Sequence, residues 1–309
     1  MTQIKLSQII DLWKKDKKQY VKKSTYSAYV LLVKNHLLPY FGDKYEVEES
    51  DVQKFVFEKL EQGLSQKTIM DILIVLKMIL KFGVKHRYLS CREIEIEIKF
   101  PTQRENEGLE VLSRSNQRKI MDYIEKNFTF KNLGIYICLS TGLRIGELCA
   151  LTWDDIDEDN GVILVRKTIQ RIYVIDDVKK RTELIIDTPK TKNSIRDIPM
   201  TSDLIKIIKS IKKIVNNEYY VLTNDIKPTE PRTYRNYYKR FMKKFDIPDL
   251  KFHGLRHSFA TRCIEGKCDY KTVSVILGHS NISTTLNLYV HPNLEQKKKC
   301  INQMNRSLR

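Results

Sequence analysis

The stretch 251–291, KFHGLRHSFATRCIEGKCDYKTVSVILGHSNISTTLNLYVH, brings His253, Arg256, His257, His279 and Tyr289 close together in the chain. His253 and Arg256 stand three apart, so on a helix they share a face. Arg256 can then present its planar fork to a phosphate while His253 reaches the same oxygens. Leu277-Gly278-His279 reads as a helix that stops at a glycine and hands a histidine to the following turn. Ser283-Thr284-Thr285 opens a further helical pattern that carries Tyr289 toward the same pocket. Attack on a phosphodiester pushes negative charge onto its non-bridging oxygens, and fixed cations with hydrogen-bonding imidazoles would meet that charge. Taken singly, each residue has a plainer reading: a His and an Arg at helical spacing commonly form a solvated face or an ion pair. A lone tyrosine in a chain with 16 of them is commonly a core residue. His253 and His257 also have the spacing of a helical metal pair, but Arg256 between them repels a cation and no HExxH glutamate is present. The reading is therefore of a site with no metal and no cofactor.

A second group lies upstream. In TGLRIGEL, residues 141–148, a small-residue turn places Arg144 near a helix start, where free backbone N–H groups favour an anion. Glu147 three residues on is a local ion-pair partner or a carboxylate that orients Arg144 or a histidine. Between the two groups the run TPKTKNSIRDIP, residues 188–199, sets Lys190 and Lys192 at the tip of a charged hairpin.

These residues must be positioned by two kinds of structure. Residues 1–90 read as a helical bundle, with helix-period apolar patterns at Leu6 to Tyr20, Thr25 to Phe41, Asp51 to Leu60 and Lys67 to His86. Ser24, Ser50 and Ser65 are candidate N-caps, and Gly42 and Gly63 are stop signals. Residues 91–110, with an alternating Glu-Ile run, Pro101 and a polar tail, read as a linker. From 111 to 309 the pattern is helical again, with Val111-Leu112-Ser113 as an apolar staple and cap. It is interrupted by three strands of a small antiparallel sheet: Val162 through Val174, Glu183 to Thr188, and Ile195 to Pro199. The fold class is mainly α with a small antiparallel β-sheet, α+β.

The 309 residues carry a formal charge of +17 and an isoelectric point near 9.4. Residues 1–110 hold 19 Lys and Arg against 16 Asp and Glu, whereas the remainder holds 36 against 22. So uneven an excess points to a polyanion, nucleic acid above all. Lys14, Lys15, Lys18, Lys22 and Lys23 in the bundle, and Arg232, Arg235, Lys239 and Arg240 in a basic aromatic run further on, are candidates to track phosphates. No segment approaches the length of apolar sequence that spans a membrane. The N-terminus lacks the apolar core and cleavage site of a signal peptide, so the expected location is cytoplasmic. Six cysteines without a CxxC read as buried, reduced thiols.

The ordered set HGLRHSFAT, then LGHSNISTTLNLY, resembles the second signature box of the tyrosine recombinases, the phage-type integrases of mobile elements. TGLRIGEL followed by LTWDDID resembles their first box, and TPKTKNSIRDIP their lysine hairpin. The resemblance implies a SAM-like core-binding domain over the bundle and a catalytic domain after it. It implies site-specific cutting and rejoining of DNA through a 3′-phosphotyrosyl link, without metal or ATP. Tyr289 would be the nucleophile and Lys190 the acid, with Lys192 in reserve. Arg144, His253, Arg256 and His279 would hold the phosphate, supported by Glu147 and His257. The implied partners are double-stranded recombination sites, a homo-tetramer on paired sites and an accessory DNA-bending or directionality protein. A type IB topoisomerase and a DNA-binding regulator that has lost catalysis are the alternatives.

Overall fold

The computed structural model describes residues 4–89, 98–101, 111–175, 180–189, 192–247 and 250–286, with 298, 301, 302 and 304–306. The chain divides into two compact units, 1–106 with 172–183, and 107–171 with 184–309.

The first unit is built from α1 (Leu6–Tyr20), α2 (Lys23–Leu32), α3 (Leu38–Phe41), α4 (Glu49–Glu61) and α5 (Gln66–Lys85). Leu6, Ile9, Ile10 and Trp13 recur at helical spacing on α1 and bury against Phe41, Phe55, Ile72 and Leu76. The single helix expected from Thr25 to Phe41 is broken instead by a π-helical turn, Val33–Leu37. Pro39 explains it. Proline has no N–H, and its ring crowds the carbonyl four residues back, so the turn widens. The Leu38 N–H then donates to the Val33 carbonyl. Ser65 caps α5 by accepting from the Thr68 N–H at 3.2 Å, as its position suggested. Ser24 and Ser50 do not cap: α2 and α4 start earlier, with Lys22 and Glu48 at the N-cap positions. Within this unit the Ser27 hydroxyl donates to the Tyr173 carbonyl at 2.7 Å and accepts from its N–H at 3.1 Å. Most of the stretch read as a linker lies outside the described residues.

In the second unit α6 (Arg114–Lys126), α7 (Phe130–Thr141) and α8 (Ile145–Ala150) precede the strands β1 (Ile156–Asp157), β2 (Val162–Val165), β3 (Thr168–Ile175), β4 (Lys180–Asp187) and β5 (Arg196–Pro199). Then come α9 (Ser202–Ile211), α10 (Pro231–Lys243), α11 (His253–Glu265), α12 (Tyr270–Leu277) and α13 (Ser283–Leu286). The outer parts of β3 and β4 are counted with the first unit. The one sheet expected here is two. β1, β2 and β5 form an antiparallel sheet in that order, with Val162 opposite Pro199 and Val165 opposite Arg196. β3 and β4 pair separately. The long first strand divides at Arg166-Lys167, where the Lys167 ammonium leaves the strand line for Asp155, 2.8 Å away. Ser113 caps α6 as expected, accepting from Asn116. Helix α7 is buried on nearly every side, so it serves as the axis of this unit's core. Cys138 and Cys149 are buried free thiols, whereas Cys268 is exposed. Among the described residues, no helix is long and apolar enough to cross a membrane.

Candidate active site

Helix α7 ends at Gly142, whose φ of +68° is left-handed. A Cβ there would sit 2.7 Å from both Leu277 Cδ2 and Phe259 Cδ1, so the turn requires glycine for its conformation and for its space. The chain then enters α8 with Arg144 at the N-cap. The Arg144 N–H donates to Glu147 Oε2 at 2.9 Å, its Nη1 donates to Glu147 Oε1 at 2.8 Å, and its Nη2 to the Gly278 carbonyl at 3.0 Å. Its side chain stays partly open to solvent.

Arg256, on the first turn of α11, is only 2 % exposed. Its Nη1 donates to the Gly142 carbonyl at 2.8 Å and its Nη2 to the Leu277 carbonyl at 2.6 Å. The same glycine turn that aims Arg144 therefore anchors Arg256. Helix α12 stops at Gly278, also left-handed at φ +65°, and His279 follows. Nδ1 of His279 shares a hydrogen bond with the buried Thr285 hydroxyl on α13, 2.8 Å away, which leaves Nε2 for another partner. On α11 the His253 and His257 rings meet edge to face, 4.6 Å between centroids. Nδ1 of His257 is buried without a hydrogen-bond partner among the described residues.

Arg196 was not singled out from sequence, and it completes the cluster. Nε donates to the Ile276 carbonyl at 2.6 Å, Nη1 to the Ser194 carbonyl at 3.0 Å and to Glu147 Oε1 at 3.2 Å, and Nη2 to Glu147 Oε2 at 3.0 Å. The carbonyls of Ile276, Leu277 and Gly278 are thus each held by a different arginine, from β5, α11 and the start of α8. A helix C-terminus carries partial negative charge, which suits this triple hold. The signal was present in the strand: β5 alternates buried and exposed, and it buries Arg196 together with Ile198. A charge at an inward position needs a partner.

Burial works against charge throughout the cluster. It opposes ionisation of Glu147, but hydrogen bonding and charge from Arg196, then the charge of Arg144, hold this carboxyl below its ordinary value. Burial, then Arg144, lowers Arg256 to about 9, which leaves it charged at neutral pH. Burial, then Arg256 and Arg144, takes His279 down to about 4. Partial desolvation, then His257 and Arg256, pushes His253 the same way, to about 4; its exposed edge lets solvent temper that push. His257 is lowered by burial and by Arg256. The cluster is therefore three imidazoles held toward the neutral form beside fixed guanidinium charge.

Lys190 and Tyr289 lie outside the described residues, and Lys192 is described only as the start of a 3-10 turn, Lys192–Ser194. The surface candidates divide by exposure. Lys15, Lys18 and Lys23 are exposed, Lys14 is paired with Asp11 at 2.7 Å, and Lys22 is half-buried. Arg232, Arg235, Lys239 and Arg240 line the exposed side of α10. Two of the three tyrosines of that run do not join them: Tyr234 and Tyr238 are in the core, and the Tyr234 hydroxyl donates to the Lys131 carbonyl at 2.7 Å, whereas Tyr237 is half-buried.

The helical unit and the α+β unit that follows it both have counterparts among known proteins. Residues 110–296 match the Phage integrase family, and residues 5–60 match the Phage integrase N-terminal SAM-like domain. The chain belongs to the phage integrase family. It is 32 % identical over 286 residues to a "Tyrosine recombinase XerC-like" of Caldanaerobacter subterraneus subsp. tengcongensis, covering 86 % of this chain and 73 % of that one. It is 24 % identical over 291 residues to the ICEBs1 integrase of Bacillus subtilis, covering 89 % and 76 %. Among solved structures, the Tn1549 transposon integrase in complex with transposon right end DNA superimposes with a TM-score of 0.77 at 25 % identity, over 98 % of this chain and 100 % of that one. A lambda integrase tetramer bound to a Holliday junction shares the fold, with a TM-score of 0.66 at 16 % identity over 93 % and 78 %.

Proposed function

We propose that the protein is a site-specific DNA recombinase that cuts and rejoins strands through a 3′-phosphotyrosyl intermediate, carrying a mobile element into or out of its target. The observation that carries this reading is the pair of guanidiniums on consecutive carbonyls, Arg256 on Leu277 and Arg144 on Gly278, with His279 next in the chain. Two cations held side by side by backbone suit the non-bridging oxygens of one phosphodiester, and being fixed beforehand they need no reorganisation as charge develops. His253 and His279, neutral at pH 7, add hydrogen bonds. Likeness to a tyrosine recombinase and to a transposon integrase solved with transposon end DNA supports the same reading.

The covalent steps follow from the family resemblance. The Tyr289 phenol gives its proton to solvent or a neutral imidazole and attacks phosphorus, the bond from phosphorus to the 5′ oxygen breaks, and Lys190 gives that oxygen a proton. Rejoining reverses this: a 5′ hydroxyl attacks the phosphotyrosine and tyrosine leaves. One phosphodiester is kept as one phosphotyrosyl ester, so no nucleotide need be hydrolysed. The guanidiniums supply the charge stabilisation that a metal would otherwise give. In the same reading four copies act on two duplexes in the cytoplasm, helped by an accessory DNA-bending or directionality protein.

The test uses nicked duplexes tiling the DNA that flanks the gene. Wild type should yield a denaturation-resistant adduct on one of them, in excess chelator and without nucleotide. Tyr289→Phe should yield none. An adduct that survives Tyr289→Phe, or one that needs a divalent cation, sinks the mechanism.

A further inference from the structure

Arg196 and Arg256 are the two buried arginines among the described residues, and the recombinase reading gives a task only to Arg256. The Arg196 side chain is 5 % exposed and four of its five N–H donors go to two carbonyls and a carboxylate, so it is turned inward rather than toward a substrate. What it touches is more telling. Glu147, 4 % exposed, lies between two guanidiniums. An Arg144–Glu147 pair alone is neutral, and a neutral pair does little for a phosphate. Arg196 reaches both oxygens of that carboxylate, whereas the Arg144 side chain reaches only Oε1. With Arg196 present the three groups carry a net positive charge, and it falls on the member that still meets solvent, Arg144.

The geometry supports the charge argument. A Cβ on Gly278 would come within 3.1 Å of Arg196 Cδ and Nη1, so the turn that delivers His279 is moulded against this side chain. Through Nε on the Ile276 carbonyl, Arg196 also fixes the end of α12 next to the carbonyls that hold Arg256 and Arg144.

We propose that Arg196 is a positioning residue, resting on the recombinase reading: it neutralises Glu147, so that Arg144 keeps an uncompensated positive charge beside Arg256 and His279. A buried carboxylate stripped of one partner is costly, whereas a buried pair replaced on both sides by neutral groups is tolerated. The role therefore has a signature that mere structural support lacks: once Glu147 is neutral, Arg196 should matter little.

The experiment compares wild type, Arg196→Met, Glu147→Gln and the double variant, reading separately the affinity for nicked target and the rate of adduct formation on bound DNA. Arg196→Met should slow adduct formation about tenfold or more with a much smaller loss of affinity. The double variant should run within about threefold of Glu147→Gln. If Arg196→Met fails to fold, the comparison of Glu147→Gln with the double variant still decides. A double variant much slower than Glu147→Gln, or a folded Arg196→Met as fast as wild type, overturns the proposal. The same proteins are also titrated with inorganic sulfate, read as the sulfate-dependent rise in Tm. That rise should shrink in Arg196→Met and return in the double variant; an equal rise in all four overturns the proposal. Because this arm needs no cleavage, a wild type that forms no adduct counts against the recombinase reading alone, and the sulfate series still judges Arg196.

Discussion

Two sets of cations in the second unit are held in opposite ways. On α10 the charges of Arg232, Arg235, Lys239 and Arg240 face solvent, while Tyr234, Tyr238, Phe241 and Met242 of the same helix fill the core. At the end of α12 two of the charges, Arg196 and Arg256, are buried and Arg144 is partly open, and the carbonyls of three successive residues fix all three. A solvated side chain contributes little to stability and can shift to follow a partner. A buried arginine has one place to be, and losing it strands its acceptors. The first arrangement suits binding strength and the second suits the geometry of a reaction.

The largest effect should come from Arg256→Met, which keeps the unbranched stem of the side chain and removes the fork. The Gly142 and Leu277 carbonyls lose their donors in a buried setting, at about 1–3 kcal/mol each. Thermal unfolding should register this as a drop in Tm of about 10 °C. Adduct formation should fall at least about a hundredfold at temperatures where the variant is folded. A variant that cleaves normally would erase the distinction between the two sets.

Gly142→Ala should follow. The left-handed backbone and the contacts at 2.7 Å to Leu277 and Phe259 must both be relieved, at about 1–3 kcal/mol. Because the Gly142 carbonyl holds Arg256, activity should fall further than stability alone explains. Denaturant unfolding and single-turnover cleavage on one preparation check this.

How legible the site was in the sequence depended on how local each cause is. The turn through Gly142 to Arg144 and the stop at Gly278 could be read because glycine and helix punctuation act over a few residues. The inward place of Arg196 has a local signal in its strand, but its partner has none, because Glu147 lies 49 residues away and only the fold brings them together. The aromatic run on α10 was read as part of a phosphate track, yet its apolar residues recur at helical spacing, the mark of a core face. In the first unit the apolar periods located the helices within a few residues. The starts of α2 and α4 were misplaced because neither begins at a serine cap. The division into two sheets was hidden because Arg166-Lys167 fits an alternating strand as well as a break.

A smaller effect concerns protons. Without DNA, His279 is held down to about 4 and the more exposed His253 is pushed the same way, so both are neutral at pH 7. Their folded values lie below the ordinary histidine value, so this contribution to stability is full above about 6.5 and is lost as pH falls toward about 4. A phosphate placed beside them adds negative charge and raises both values. DNA binding should then take up protons near pH 5.5 and cease to do so above pH 7. Affinity should rise severalfold at most per pH unit on acidification. Calorimetry in buffers of different ionisation enthalpy measures the uptake, and His279→Gln should remove part of it. Uptake that is unchanged in that variant would place the phosphate elsewhere.

The smallest effect tests the other set. Arg235→Gln on α10 removes one exposed charge and disturbs no buried contact, because the core side of that helix is carried by Tyr234, Tyr238 and Phe241. Tm should stay within about 1 °C, since surface substitutions of this kind cost about 0.5 kcal/mol or less. If Arg235 tracks a phosphate, the slope of log affinity against log salt should become shallower by about 0.9, because one fewer counterion is released. Affinity at moderate salt should fall only a few-fold, and the rate of adduct formation on saturated DNA should not change. An unchanged slope would remove Arg235 from the DNA-facing surface. A changed rate on bound DNA would be the more damaging result, because a solvated charge on α10 would then share the work assigned to the buried arginines.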